Sequence, residues 1–382
     1  MALRAFAPLL LTLIALPAPG QAPAVPEPKP NRMFTIETEV KRTSVKAQGK
    51  SGTCWCFATT SFMESELLRL GKPEVGLSEM FVIRHAWPEK AWAYFRLQGA
   101  APWSPGGQAH DWINQVKAHG IVPREAYTGL AAGETTHVHG EMDAGLKGFL
   151  DAAAKGKQPT TKWPAAFQGI LDAYLGQPPV IFSFQGKACT PQSFRDSLGL
   201  DLDAYVELTS FTHHPYYQPF RLEIQDNWTQ DHRYYNLPLA ELEQVMEHAL
   251  KAGFSFVWDG DVSEKEFSQK TIGYAYLPKT LEQKNEPTGP EAELEPTSPL
   301  RQLAFDDFRT TDDHLMHIVG LAKDQAGNRF FLTKNSWGDG PTLGPHKGYV
   351  YMSRSFVLMK GVAIMVHKQA LPTAIAKKLG LH

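Results

Sequence analysis

A polar, glycine-containing loop that runs directly into a strongly apolar helix is the feature that most constrains this chain. Residues 48–57 have the sequence QGKSGTCWCF, and the apolar residues that follow as far as Leu70 are spaced to form one broad helical face. Gly71 and Pro73 predict the end of this helix. Cys54 therefore lies in the first turn of a largely buried helix, where unpaired backbone N–H groups and the helix dipole stabilise an anion. A thiol in that position ionises more easily than a free thiol.

The composition is that of a globular protein with a sizeable core. Hydrophobic residues make up 43% of the 382 residues, and nine tryptophans are among them, which excludes a disordered or coiled-coil chain. The 38 basic and 40 acidic residues nearly balance, so no nucleic-acid partner is expected. Three cysteines are too few, and odd in number, for a disulfide framework.

The N-terminal residues predict a targeting segment rather than part of the fold. Arg4 precedes an apolar stretch at 5–16, and the small and helix-breaking residues at 17–22 complete a pattern typical of a secretory signal peptide. The apolar stretch is shorter than the roughly 20 residues that span a bilayer, and no later stretch approaches that length. We therefore expect a signal peptide over 1–22, a Pro-rich linker over 23–33, and an exported protein, periplasmic or secreted, with no membrane span.

The rest of the chain changes from helical patterns to β-rich patterns. Helices are predicted over 77–98, 108–119, 141–176 and 237–252. Strands are predicted over 254–258, 315–322, 329–335, 349–352 and 362–366. The Asp, Gly and Asn residues at 323–328 suit a hairpin turn, and the acidic, Pro-containing segment 282–295 suits a solvated loop. This order predicts an α+β fold in which two subdomains meet at a cleft.

The residue types that nucleophilic catalysis by cysteine requires are all present. A cysteine nucleophile needs a base, a group that orients the base, and donors for the oxyanion. Cys54 supplies the thiol and its own backbone N–H, and Gln48 offers a side-chain amide as the second donor. His317 lies in the first strand of the hairpin and Asn335 ends the second, so Asn335 is expected to accept a hydrogen bond from one ring nitrogen. Trp337 is expected to cover that contact from water.

A second histidine competes with His317 for the role of base. His314 lies three positions before His317, and an odd separation puts the two side chains on opposite faces of a strand. His317 lies within the apolar run 315–321 and keeps the better spacing to Asn335. The sequence therefore favours His317 as the base.

The remaining cysteines are predicted to be structural, and the remaining histidine pairs are predicted to lie in exposed loops. Cys56 lies about 200° around the helix from Cys54, so it is expected to belong to the core. Cys189 has no titratable partner nearby in the sequence. The two histidine pairs, at 137 and 139 and at 213 and 214, have no accompanying metal-binding motif. No metal and no organic cofactor is expected.

These motifs, taken together, resemble those of the papain-like cysteine peptidases and occur in the same order. They are Gln48, Cys54-Trp55, Phe57, Leu77-Ser78-Glu79, Gly106-Gly107, His317 and Asn335-Ser336-Trp337-Gly338. The chain departs from the family signature in two ways. Ser51 replaces a cysteine, and His317 follows Cys54 by 263 residues instead of about 130–150. The extra block, together with His346-Lys347-Gly348-Tyr349, is similar to the bleomycin hydrolase and aminopeptidase C branch.

The resemblance implies a papain-like fold over 34–382. A helical subdomain would carry the cysteine helix, an antiparallel, β-barrel-like subdomain would carry the histidine, and residues of about 130–300 would form a large insertion between them. Because members of this branch form hexamers, the resemblance also admits a homo-oligomer.

The resemblance further implies hydrolysis of peptide substrates by a triad of Cys54, His317 and Asn335, with Gln48 at the oxyanion. The three residues Gly106, Gly107 and Trp337 would then contact the substrate. The branch favours aminopeptidase activity. Three alternatives remain: a papain-fold endopeptidase, a peptide-binding protein of the same fold without catalysis, and an acyltransferase that uses the same nucleophile.

Overall fold

The computed structural model describes residues 32–156, 158–279, 290 and 292–381. The predicted signal peptide, most of the predicted linker and most of the acidic segment 282–295 lie outside the described residues. Among the helices of these ranges, none combines the length and apolar character needed to cross a bilayer.

Ten α-helices occur in the described part of the chain. They are α1 (Cys54–Arg69), α2 (Glu79–Arg96), α3 (Ala109–His119), α4 (Gly140–Ala154), α5 (Trp163–Leu175), α6 (Pro191–Leu198), α7 (Leu239–Lys251), α8 (Ser298–Asp306), α9 (Arg354–Lys360) and α10 (Thr373–Lys378). The single helix predicted over 141–176 is instead two helices, because Gly156 and Pro159 interrupt it. The other predicted helices agree with the observed bounds within about two residues.

The strands form one large mixed sheet and a separate hairpin. They are β1 (Phe34–Glu39), β2 (Phe182–Phe184), β3 (Lys187–Cys189), β4 (Tyr205–Thr209), β5 (Pro219–Phe220), β6 (Tyr234–Asn236), β7 (Phe256–Gly260), β8 (Phe267–Ser268), β9 (Tyr274–Ala275), β10 (His314–Asp324), β11 (Arg329–Lys334), β12 (Tyr349–Ser353) and β13 (Gly361–His367). The large sheet has the order β5-β6-β4-β13-β7-β10-β11-β12-β9-β8, with β1 added beside β10, while β2 and β3 pair alone. Two of its pairs, β4 with β6 and β9 with β12, are parallel, and the other pairs described are antiparallel. The predicted α+β class is confirmed.

Helix α1 lies at the centre of the molecule. It packs against β10 and β7 on one side and against α2 and α3 on the other, and its residues from Cys54 to Leu67 are all buried. The apolar faces of α4 and α5 belong to the same hydrophobic cluster as α1, and β4 and β7 lie in the main sheet. The block 130–300 therefore contributes to the helical core and to the sheet.

One extra residue in β10 changes the register of its pairing with β11. Next to the turn, Lys323 lies opposite Arg329, and the pairing continues regularly until the register shifts by one residue within 318–320. The extra residue, Val319, forms a β-bulge. Its carbonyl oxygen accepts a hydrogen bond of 2.8 Å from the backbone N–H of Val40, just beyond β1, so the bulged residue is still paired on its other side.

The bulge decides which side chains share a face of the sheet. If the strand register found next to the turn continued unchanged along β10 and β11, His317 would lie opposite Asn335. In the structure His317 lies opposite Lys334, and because side chains alternate along a strand, Asn335 points to the other face. His314, three residues before His317, is on the face that Asn335 shares.

A buried arginine joins α8 to the segment that leads into β13. Arg301 is 2% exposed, and its guanidinium donates hydrogen bonds to four backbone carbonyl oxygens and to no carboxylate. The acceptors are Ser210 (2.7 Å), Leu358 (2.7 Å), Gly361 and Val362 (3.2 Å).

Replacing this arginine is expected to destabilise the fold strongly. The variant Arg301→Ala should lower the free energy of unfolding by about 3–5 kcal/mol, because it leaves several buried carbonyl groups without donors. Urea unfolding of both proteins measures the difference. The control Arg309→Ala removes an exposed side chain that pairs with Asp307, and it should change the same free energy by less than about 1 kcal/mol. Equal effects of the two substitutions would contradict the structural role of Arg301.

Candidate active site

Cys54 is the first residue of α1 and is 8% exposed. The residue before it, Thr53, does not cap the helix with its side chain, because its hydroxyl is hydrogen-bonded to that of Ser51 at 2.5 Å. The first backbone N–H groups of α1 have no partner within the helix and are available to an anion. Trp55 then anchors the neighbouring loop, since its Nε1 donates a hydrogen bond of 3.1 Å to the carbonyl oxygen of Pro105.

Gln48 is held next to the segment that follows β11. Its backbone N–H donates to the carbonyl oxygen of Ser336 at 2.7 Å, and its Oε1 accepts a hydrogen bond of 2.6 Å from the Ser336 hydroxyl. Because the side-chain oxygen is occupied in this way, the Nε2 amide is the part of Gln48 that remains to donate to a ligand.

The structure brings His314, and not His317, to Asn335. His314 Nε2 donates a hydrogen bond of 2.8 Å to Asn335 Oδ1, and the Trp337 ring packs against the imidazole with its centroid 5.2 Å away. The Cys54 thiol is hydrogen-bonded to the backbone of Leu315, the residue directly after His314. Thiol, imidazole and amide thus converge where the start of α1 meets the start of β10.

The predicted pairing of His317 with Asn335 is therefore wrong. The expectation that the two histidines lie on opposite faces is correct, but the bulge at Val319 turns Asn335 towards the face of His314. The sequence offers one weak signal for this bulge, because Gly320 interrupts the apolar run 315–321 directly after Val319.

His317 belongs instead to a buried polar network on the other face of β10. Its side chain is 0% exposed, and its Nδ1 is 2.9 Å from the hydroxyl of Ser61 on α1. Lys334 Nζ donates to the same hydroxyl at 2.8 Å and to the carbonyl oxygen of Thr43 at 2.9 Å. Because the Lys334 ammonium can only donate, the hydroxyl proton is free to bond to His317 Nδ1.

The orientation of the Asn335 amide is set by two further contacts. Its Oδ1 also accepts from the backbone N–H of Ser336 at 2.7 Å, and its Nδ2 donates to Gln269 Oε1 at 2.6 Å. With the oxygen directed at His314, the proton of that imidazole lies on Nε2 and the lone pair on Nδ1. Gln269 is 1% exposed and carries no motif, so sequence reasoning missed it.

Burial disfavours the charged form of each reactive group taken singly. In contrast to the easier ionisation expected for a thiol at a helix start, desolvation raises the pKa of the Cys54 thiol to about 12, and the nearby carboxylates Asp226, Asp259 and Asp312 act in the same direction. Desolvation also lowers the pKa of His314 to about 4, against the effect of its hydrogen bond to Asn335. Neither group is readily charged alone, so a charged pair forms when the proton passes from the thiol to the imidazole.

The two glycines predicted to contact substrate have different surroundings. Gly107 is buried against the indole of Trp55, where a Cβ atom would lie 3.0 Å from the ring. A Cβ on Gly106 would lie 1.7 Å from Asp226 Oδ2, so that carboxylate takes the space of a side chain. The carbonyl oxygen of Gly106 already accepts a hydrogen bond from Lys90 Nζ.

The match to a known family agrees with this geometry. The sequence model of the Peptidase C1-like family matches residues 170–381, more than half of the chain, and the chain belongs to this family. The matched range includes His314 and Asn335. The chain is a cysteine-type peptidase, and its predicted resemblance to the papain-like peptidases is confirmed.

Relatives of similar length carry aminopeptidase names. Aminopeptidase G of Lactobacillus delbrueckii subsp. lactis is 25% identical over 386 residues, covering 89% of this chain and 84% of the relative. Aminopeptidase E of Lactobacillus helveticus is 24% identical with the same two coverages. The crystal structure of PepW from Lactobacillus rhamnosis HN001 has the same fold, with a TM-score of 0.73, 21% identity, and coverage of 91% of this chain and 84% of PepW.

The buried state of His317 makes the folding stability depend on pH. Burial holds its pKa well below the ordinary value of 6.5, so on acidification the unfolded chain takes up a proton that the folded protein does not. Stability is therefore lost as the pH falls below 6.5. The advantage of the wild type over His317→Gln in free energy of unfolding should shrink by about 2 kcal/mol between pH 7 and pH 5.

Urea unfolding at the two pH values measures this change. The control Ser61→Ala removes a partner of His317 but retains the buried imidazole, so it should keep the pH dependence of the wild type. A difference between the wild type and His317→Gln that is the same at both pH values would contradict a neutral, buried His317.

Proposed function

We propose that this protein is an aminopeptidase-type cysteine peptidase in which Cys54 is the nucleophile and His314 is the base, oriented by Asn335. The observation that carries the proposal is the 2.8 Å hydrogen bond from His314 Nε2 to Asn335 Oδ1. The next residue after His314, Leu315, is the one whose backbone is hydrogen-bonded to the Cys54 thiol. His317 has no part in the reaction, because Ser61 and Lys334 enclose it on the other face of the strand.

The first half of the reaction forms a thioester. Cys54 Sγ attacks the carbonyl carbon of the scissile peptide bond while its proton passes to Nδ1 of His314. Asn335 holds the resulting imidazolium in place, and the Trp337 ring shields their hydrogen bond from water. The tetrahedral intermediate then collapses: the C–N bond breaks and His314 returns the proton to the leaving amine.

The second half releases the product. His314 takes a proton from water, the water oxygen attacks the thioester carbon, and the C–S bond breaks to give a carboxylic acid and the free thiol. In both halves the carbonyl oxygen becomes negative. The backbone N–H of Cys54 and the Nε2 amide of Gln48 are positioned to donate to that oxygen, and Ser336 keeps Gln48 in this orientation.

Replacing each of the two histidines by alanine tests which of them is the base. His314→Ala should lower kcat/KM for a fluorogenic peptide by about 1,000-fold, a typical loss for removal of a general base. His317→Ala should keep kcat/KM within about tenfold of the wild type, measured at 20 °C on protein shown to be folded by circular dichroism. A larger loss for His317→Ala than for His314→Ala would overturn the assignment.

Chemical labelling tests the nucleophile independently. Iodoacetamide or an epoxysuccinyl inhibitor should abolish activity and, by peptide mapping, modify Cys54, while the buried Cys56 is left unmodified. The variant Cys54→Ala should show no activity. Unchanged activity in that variant would refute the proposed mechanism.

The aminopeptidase mode draws support from two sources. Relatives that match along most of this chain are named aminopeptidases. In addition, the Asp226 carboxylate fills the space beside Gly106, which limits how far a peptide can extend past the scissile bond on its N-terminal side.

A pair of matched peptides tests this mode. A peptide with a free N-terminus should be cleaved with kcat/KM at least about 100-fold higher than the same peptide acetylated at the N-terminus, because a site built for a charged group rejects an analogue that lacks it. Chromatography of the products identifies the bond that is cut. Equal cleavage of the two peptides would establish an endopeptidase instead.

A further inference from the structure

A cavity of about 410 Å³ lies next to the candidate active site. Two of its wall residues connect it to that site: Asp226 lies on Gly106, and Asp312 precedes His314 by two residues. The charged residues among its described lining are all acidic, namely Glu223, Asp226, Asp306 and Asp312. Apolar walls complete it, with Phe305 inside and Phe308, which is 81% exposed, at the edge.

The carboxylates nearest Cys54 are only partly satisfied by the protein. Asp226 Oδ1 accepts a hydrogen bond of 2.6 Å from the Ser104 hydroxyl, while Oδ2 lies over Gly106. Asp312 Oδ2 accepts from Gln108 Nε2 at 3.0 Å, but its Oδ1 is buried without a hydrogen-bond partner among the described residues.

A third carboxyl group, that of Asp259, is buried next to Asp312. Asp259 is 2% exposed, and neither of its oxygens has a hydrogen-bond donor in the described part of the protein. It lies within hydrogen-bonding distance of Asp312, and two carboxylates can bond only if they share a proton. Burial and the charges of its neighbours, first that of Asp226, raise the pKa of Asp312 to about 7.

The nearest buried cation does not neutralise this group. Lys90 Nζ donates to the backbone carbonyl oxygens of Ser104 and Gly106, and Asp226 acts on it as a nearby charge rather than as a hydrogen-bond acceptor. A second buried cation, His110, is already paired with Glu207, at 2.8 Å between Nδ1 and Oε2. The acidic wall of the cavity therefore retains an excess of negative charge.

We infer that Asp226 and Asp312 bind a cationic ammonium group of the peptide substrate, on the N-terminal side of the scissile bond. This inference rests on the proposed function and identifies the residues that would select a free N-terminus. The same chemistry would serve the α-ammonium of the peptide or the ammonium of a lysine side chain, and the experiment below separates the two.

Binding of such a group would also assist catalysis. The negative charge of Asp226 and of the Asp259–Asp312 pair opposes formation of the Cys54 thiolate. An ammonium held between Asp226 and Asp312 offsets these charges, so a correctly bound substrate favours transfer of the thiol proton to His314. A peptide without the cation would leave the thiol in its less reactive state.

The variant Asp226→Asn tests the inference with three peptides of otherwise equal sequence. One has a free N-terminus, one is N-acetylated, and one is N-acetylated with lysine as the residue before the scissile bond. For the free peptide, kcat/KM should fall by about 10–100-fold, the usual loss for one hydrogen bond to a charged group, with little change for the acetylated peptide without lysine. The control Asp307→Asn, at an exposed carboxylate that pairs with Arg309, should leave all three values unchanged.

Each outcome is decisive. A selective loss with the free peptide assigns the cation to the N-terminus, and a selective loss with the lysine peptide assigns it to the side chain; both support the ammonium site. An equal loss for all three peptides, or no loss, overturns it. A second measurement uses the wild-type protein and two small inhibitors. Butylammonium should inhibit cleavage competitively, whereas butanol at the same concentration should not. Equal inhibition by both would refute the site.

Failure of the proposed function would be recognised separately. A wild-type protein that cleaves none of the peptides would refute the peptidase proposal. Calorimetric titration of the Cys54→Ala protein, with and without Asp226→Asn, would still test the ammonium site, because it measures binding without turnover. An affinity for the free peptide that does not depend on Asp226 would overturn the inference in that case as well.

Discussion

The packing of α1 against β10 is the contact on which the site depends. Because α1 is buried along nearly its whole length, its first turn cannot move relative to the sheet, and Cys54 is fixed beside the beginning of β10. The hairpin of β10 and β11 then carries the imidazole and the amide to the same place. The core thus sets the relative positions of Cys54, His314 and Asn335.

Desolvation is the second constraint, and it acts on stability and chemistry in different ways. On one face of β10 it keeps His317 neutral, enclosed by Ser61 and by the cation of Lys334. On the other face it raises the pKa of Cys54 and lowers that of His314, and carboxylates nearby also oppose a thiolate. In the proposed ammonium site, the charge of a bound substrate would offset that of the carboxylates, which links recognition of the substrate to activation of the thiol.

Much of the fold could be predicted because it follows from local patterns. The apolar periodicity of α1, the stop at Gly120 after α3 and the turn between β10 and β11 each depend on neighbouring residues alone. The closeness of Cys54 and Gln48 could be predicted for the same reason, because a short loop connects the two residues. The pairing of His317 with Asn335 failed for a different reason: a single extra residue, Val319, reverses the alternation of faces, and such a bulge depends on three adjacent strands.

The sequence by itself determined the fold class, the position of Cys54 at a helix start and the family to which the chain belongs, because residue order and spacing carry this information. The tertiary structure alone decided which histidine meets Asn335, that Gln269 holds the amide, and that Asp226, Asp259 and Asp312 gather beside the thiol. These residues are far apart in the chain. Strand register and burial bring them together, and both are properties of the whole packed molecule that no local pattern contains.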